Sequence, residues 1–120
     1  MEKVNGIGGV FIRARDPDAL ALWYRDHLGI NLVPQDATGA PWVSDGGVTI
    51  FAPFAADTDY FPASQQVMIN FRVSDLAAML VQLDAAGIKP FSETAMEGIG
   101  LFAHVMYPEG NAIELWQPAS

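Results

Sequence analysis

The chain has 120 residues, 51% of them apolar, no cysteine, and 14 acidic side chains against 6 basic ones, for a formal net charge of -8. That length suits one ordinary domain with a real core, and the missing cysteine excludes disulfides, thiolate nucleophiles and Cys-ligated zinc or iron–sulfur sites. The charge argues against nucleic acid, which asks for clustered Lys and Arg, and no apolar run approaches the roughly 18 residues that cross a bilayer. With no signal-peptide pattern at the start, the expected setting is cytoplasmic, with no membrane contact. The acidic balance suits either plain solubility or a cationic ligand.

Val4–Ala14 has strand composition, with glycines at 6, 8 and 9 that suggest a bend or a close backbone approach. These glycines lie within the strand, so the stretch is no dinucleotide fingerprint. Asp16 and Pro17 open a helix as N-cap and first helical residue. Leu20, Trp23, Tyr24 and Leu28 recur at helical spacing as its buried stripe, and Gly29 ends it. Ile30–Pro34 is a short expected strand. Pro41–Ser44 and Val48–Pro53 are two more, meeting at Asp45-Gly46-Gly47. Phe54–Ser64 has no periodicity and reads as a linker.

The pattern then starts again. Gln66–Val73 reads as a strand with Val67, Ile69, Phe71 and Val73 on one face and Gln66, Met68, Asn70 and Arg72 on the other. Asp75 caps a second helix with the stripe Leu76, Met79, Leu80 and Leu83, closed by Gly87. Lys89–Thr94 is the next strand. The chain ends in a hairpin, Phe102–Gln117, with its turn at Tyr107–Asn111. In its second strand Ile113 and Leu115 share one face, and Ala112, Glu114 and Trp116 share the other. A carboxylate between alanine and tryptophan faces a packed core only if it has a partner, so Ile113 and Leu115 are read as inward. Pairing Met106 with Ala112 sets His104 opposite Glu114 and Phe102 opposite Trp116. That register puts an imidazole and a carboxylate side by side in an aromatic-walled hollow.

The two halves match. FIRARD (11–16) faces NFRVSD (70–75), Arg13 on Arg72 and Asp16 on Asp75, and each half then runs through a helix to a Gly-Ile pair. The expected fold is α+β: two tandem βαβββ modules (about 1–55 and 66–120, with a linker at about 54–65) in one domain. Eight strands form a curved mixed sheet around a cavity, with the two helices on the outer face. A single helix covers only one sheet face, so the other faces of the two modules share a trough, and strand parity puts Met68, Asn70 and Arg72 in it.

The segments RARDPDALALWYRDHLGI (13–30), NFRVSDLAAMLVQLDAAGI (70–88) and YPEGNAIELWQP (107–118) resemble the vicinal oxygen chelate superfamily, which includes glyoxalase I, extradiol dioxygenases and bleomycin-resistance proteins. The resemblance implies that modules pair within or between chains, and a homodimer. It also implies one divalent ion held by four side chains, one from the first and one from the last strand of each module. Those positions fall at Gly9, at Phe51 or a neighbour, at Met68 and at Glu114. Glycine and phenylalanine offer no ligand, and a thioether is unsuited to a hard cation. Only Glu114 stands where a family carboxylate stands, and His104 is the one nearby substitute.

Glu114 and His104 are therefore the candidate catalytic pair, and the candidate metal ligands if any metal binds. Glu114 would hold a cationic group or act as a base; the plainer alternative is an ion pair with Arg72 or Arg13. Phe51, Met68, Asn70, Arg72, Phe102, Trp116 and Trp42 are the candidate ligand-binding residues. Trp42 could stack on a flat ligand or be a core or interface aromatic. Arg13 and Arg72 could clamp a carboxylate or form structural ion pairs. His27, in the last turn of helix one, suits the helix C-terminus. Three readings stay open: a small-molecule binder with no cofactor, a metal-dependent lyase, isomerase or dioxygenase with an altered ligand set, and a non-catalytic interaction or regulatory subunit whose trough is filled by its own side chains.

Overall fold

A computed structural model describes residues 1–120, which form two compact units, Met1–Ala55 and Ala56–Ser120. The chain is a small α+β protein with two helices and a mixed, open sheet of four strands. No helix is long and apolar enough to cross a membrane.

The regular element of the first unit is α1 (Pro17–Leu28). Its ends are fixed by local chemistry. The Asp16 carboxylate accepts a 3.1 Å hydrogen bond from the Ala19 N–H, Pro17 sits in the first turn, and Gly29 takes the left-handed conformation (φ 72°) that closes the helix. Leu20 and Tyr24 are its buried residues, with Trp23 edge-on to Tyr24 at 5.1 Å. The four strands expected in this half are not formed: outside α1, residues 1–55 have no sheet ladder. The segments have strand composition, but alternation specifies only which side chains share a face. A strand exists through pairing with another, and these find no partner ladder within the chain. Their apolar side chains stay in solvent, with Val4 92%, Phe11 97% and Phe51 87% exposed.

The second unit holds the sheet, in the order β1-β4-β3-β2: β1 (Asn70–Arg72), β2 (Ser92–Met96), β3 (Gly100–Met106) and β4 (Ala112–Pro118). β1 runs parallel to β4, and the β4–β3 and β3–β2 pairs are antiparallel. Helix α2 (Leu76–Ala85) packs on β3 and β4. Asp75 caps it through the Ala78 N–H at 3.0 Å, and the Leu76 N–H donates to the Gln117 side-chain oxygen at 2.8 Å, tying the helix start to β4. Gly87 (φ 78°) ends the last turn, with the Ile88 N–H returning to the Leu83 carbonyl at 2.9 Å. The core is Leu76 and Leu83 from the helix with Ala103, Val105, Ile113 and Leu115 from the hairpin. Of these Leu83, Val105, Ile113 and Leu115 are fully buried, each contributing about 1.5–3 kcal/mol by leaving water.

Two strands differ from their expected extent. Gln66–Val73 is shortened to Asn70–Arg72, because the buried Gln65 side chain has taken over pairing at the start of β4. Its amide accepts from the Ala112 N–H at 2.9 Å and donates to the Ala112 carbonyl at 2.7 Å. The ladder resumes where Glu114 N–H donates to the Ile69 carbonyl at 2.9 Å. Lys89–Thr94 is displaced to Ser92–Met96. Pro90 has no N–H to give, and pairing begins with the Phe91 N–H on the His104 carbonyl at 2.9 Å.

Candidate functional site

The hairpin positions the site. Its turn closes through the Tyr107 N–H on the Asn111 carbonyl (3.0 Å) and the Gly110 N–H on the Tyr107 carbonyl (2.9 Å). The resulting register pairs Met106 with Ala112, His104 with Glu114 and Phe102 with Trp116. Ile113 and Leu115 face α2 and the core, so parity sends His104, Glu114, Phe102 and Trp116 to the opposite sheet face. The parallel neighbour adds Asn70, whose Cα partner is also Glu114.

Glu114 is the centre of this face. It is buried, and its carboxylate has three partners. Oε1 accepts from the Asn70 amide at 2.7 Å; Oε2 meets His104 Nε2 at 2.7 Å and accepts from the Tyr60 hydroxyl. The ion pair with Arg72 or Arg13 is therefore not what holds it. Two neutral donors and an imidazole satisfy a buried charge here, which shortens and strengthens each bond. The direction of the His104 contact is set by which ring nitrogen carries the proton. His104 is itself buried, edge-on to the rings of Tyr60 (5.0 Å) and Phe91 (5.7 Å). Burial pushes the Tyr60 phenol up to about 12, and the hydrogen bond to Glu114 and its negative charge act the same way. Tyr60 therefore stays a neutral donor.

A cavity of about 310 Å³ opens beside this cluster, lined by Asp59, Tyr60, Phe91, Ser92, Thr94, Phe102 and His104. Of the expected site residues, His104 and Phe102 line it. Glu114 lies behind, reaching the cavity wall through His104 and Tyr60. Trp116 is also buried, stacked on Phe102 with centroids 6.0 Å apart and its indole N–H on the Ile99 carbonyl at 3.0 Å. It stiffens the Phe102 wall. Asn70 serves the carboxylate. Met68 and Arg72, both half-buried, are not among the lining residues. Phe51 and Trp42 belong to the first unit, where both rings are exposed.

Tyr60 is the residue that sequence reasoning missed. It sits in the aperiodic stretch read as a linker, and its one visible signal was two aromatics, Tyr60 and Phe61, among acids and a proline. Asp59, Phe91, Ser92 and Thr94 were missed as well, because a lining role depends on a loop path and a strand shift that no local pattern encodes.

The family model described as a glyoxalase-like domain matches residues 9–116. The chain belongs to this family. Solved structures agree on the architecture. The antibiotic-binding protein TnmS3 from Streptomyces sp. CB03234 is 21% identical with a TM-score of 0.66, covering 99% of this chain and 100% of its own. A lactoylglutathione lyase from Agrobacterium tumefaciens is 16% identical, TM-score 0.63, covering 96% and 95%. SMU.1112c is 18% identical, TM-score 0.65, covering 96% and 100%. No curated protein matches the sequence. This glyoxalase-like domain thus lies in the vicinal oxygen chelate superfamily.

The superfamily's divalent ion can be tested against the side chains. No three His, Cys, Asp or Glu residues come together in the structure. His104 Nε2 and both Glu114 oxygens are already engaged with one another or with Tyr60 and Asn70. Catalytic metal sites draw three protein ligands, and this donor set does not fit one.

Proposed function

We propose that this glyoxalase-like domain is a small-molecule-binding protein of the bleomycin-resistance kind, holding a flat aromatic ligand without the superfamily's metal. The observation that carries the reading is the cavity walled by the rings of Tyr60, Phe91, Phe102 and His104. Its size lies at the lower end for ligand pockets, and its walls set aromatic rings beside the polar side chains of Asp59, Ser92 and Thr94. Asp59 on the lining, with the net charge of -8, favours a cationic group at the rim. The antibiotic-binding neighbour supports the same direction. The reading includes a homodimer, supported by the apolar side chains that residues 1–55 leave in solvent, and a cytoplasmic setting, which suits a chain without cysteine.

Titration with planar cationic dyes, followed by calorimetry, tests the ligand. Phe102→Ala should weaken binding at least about fivefold, and sedimentation should find a dimer. No saturable binding by the wild type, or undiminished binding by Phe102→Ala, removes the reading. A second reading rests on His104 and Glu114 standing opposite each other on β3 and β4: a lyase, isomerase or dioxygenase in which the pair gives up its mutual hydrogen bond to a metal completed by ligands from another chain. Elemental analysis of protein purified without chelator decides, since a stoichiometric divalent metal would promote that reading over the first.

A further inference from the structure

We infer that His104, with its tautomer set by Glu114, presents Nδ1 to the cavity as a hydrogen-bond acceptor for a neutral O–H or N–H group on an aromatic ligand. The inference rests on the cavity reading above and adds the chemistry its ligand must carry.

A neutral imidazole has one N–H and one lone-pair nitrogen, and whichever partner takes the first fixes the second. Here Nε2 faces the Glu114 carboxylate at 2.7 Å. That carboxylate is held in place from two other sides, by Asn70 on Oε1 and by Tyr60 on Oε2, so it cannot turn away to release the ring. Nδ1 has no hydrogen bond within the protein, while His104 lines the cavity. The titratable groups facing the ring are Glu114, Tyr60 and, on the lining, Asp59. The phenol of Tyr60 is spent on Glu114 and supplies no proton to Nδ1. A ligand hydroxyl or N–H satisfies that nitrogen; an ether or ester oxygen at the same place leaves two lone pairs facing each other. Phe91 and Tyr60, both edge-on to the ring, hold its plane, so Nδ1 is presented in a fixed direction rather than on a rotating side chain. Glu114 is a positioning residue in this account.

Two measurements test it. Ring-nitrogen NMR of the wild-type protein at about pH 7 reads the tautomer directly, and with only two histidines, His27 and His104, assignment needs one variant. The expected result is a proton on Nε2 and a bare Nδ1. The second is a calorimetric comparison of para-cresol, whose hydroxyl stays neutral at this pH, with para-methylanisole, which differs by masking the one hydroxyl. The phenol should bind about tenfold more tightly. Glu114→Gln should bring the two to parity, because its amide can donate to Nε2 and move the ring proton to Nδ1. A proton on Nδ1, whether as the other tautomer or as the doubly protonated ring, overturns the inference and leaves the cavity reading standing. Equal affinity of phenol and ether in the wild type does the same. Binding of neither compound, with no cationic dye bound either, removes both.

Discussion

Replacing Tyr60 with phenylalanine isolates one hydrogen bond and one titration at once. The hydroxyl donates to the buried Glu114 carboxylate, and its folded-state value of about 12 lies above the ordinary 10.0. A value raised on folding gives stability that is fully present below the unfolded value and lost as pH climbs through the folded one. The window is therefore alkaline, from about pH 10 to about pH 12. Two units would correspond to about 2.7 kcal/mol at 1.36 kcal/mol per unit. Tyr60 is 40% exposed, so solvent screening reduces that to about 1 kcal/mol. Below the window, Tyr60→Phe should be less stable than wild type by about 1 kcal/mol for the lost bond to a charged acceptor. This corresponds to a shift of roughly 0.5 M in the urea midpoint. Across the window the wild type loses its advantage as the phenolate forms beside the carboxylate, and the two midpoints should converge. Parallel pH profiles, with a constant gap through about pH 12, would refute both the contact and the direction of the shift.

Gln65→Ala removes both side-chain bonds to the Ala112 peptide and leaves two buried backbone groups unpaired, so a loss of about 2–4 kcal/mol in urea denaturation is expected. At Gly100 (φ 136°) an added Cβ would lie 2.1 Å from the Gln117 carbonyl oxygen. Gly100→Ala should therefore lower stability by about 3 kcal/mol, seen as a fall of roughly 10 °C in the melting temperature. Asp75→Ala deletes the α2 cap and should cost about 1 kcal/mol by the same assay. Lys89→Ala breaks an exposed pair with Asp84 and should change the urea midpoint by less than the equivalent of about 0.5 kcal/mol.

The chain was readable where the deciding interactions are local. Asp16 and Asp75 cap their helices, Gly29 and Gly87 end them, and the turn at Tyr107–Asn111 sets His104 opposite Glu114. Each depends on residues a few positions apart, which a pattern can capture. The readings that depended on distant partners fared differently. Strand alternation in residues 1–55 could not supply a ladder. Gln66–Val73 was shortened by a side chain one residue before it. Tyr60 reaches a carboxylate 54 positions away, and nothing in its neighbourhood advertises that. Glu114 was singled out because a charge flanked by Ala112, Ile113, Leu115 and Trp116 is expensive to bury; which groups would offset it was a question of tertiary geometry.

The Gln65 clip bears on how the acid keeps its company. Sliding β1 by a single residue along β4 would bring the Phe71 position opposite Glu114 and turn the Asn70 amide to the far side of the sheet. An amide matched to one particular peptide group, that of Ala112, resists such a slide from just upstream. A side chain with no chemistry of its own thus acts as the alignment pin for the carboxylate, and drift at position 65 would be felt first as a misplaced donor at position 70.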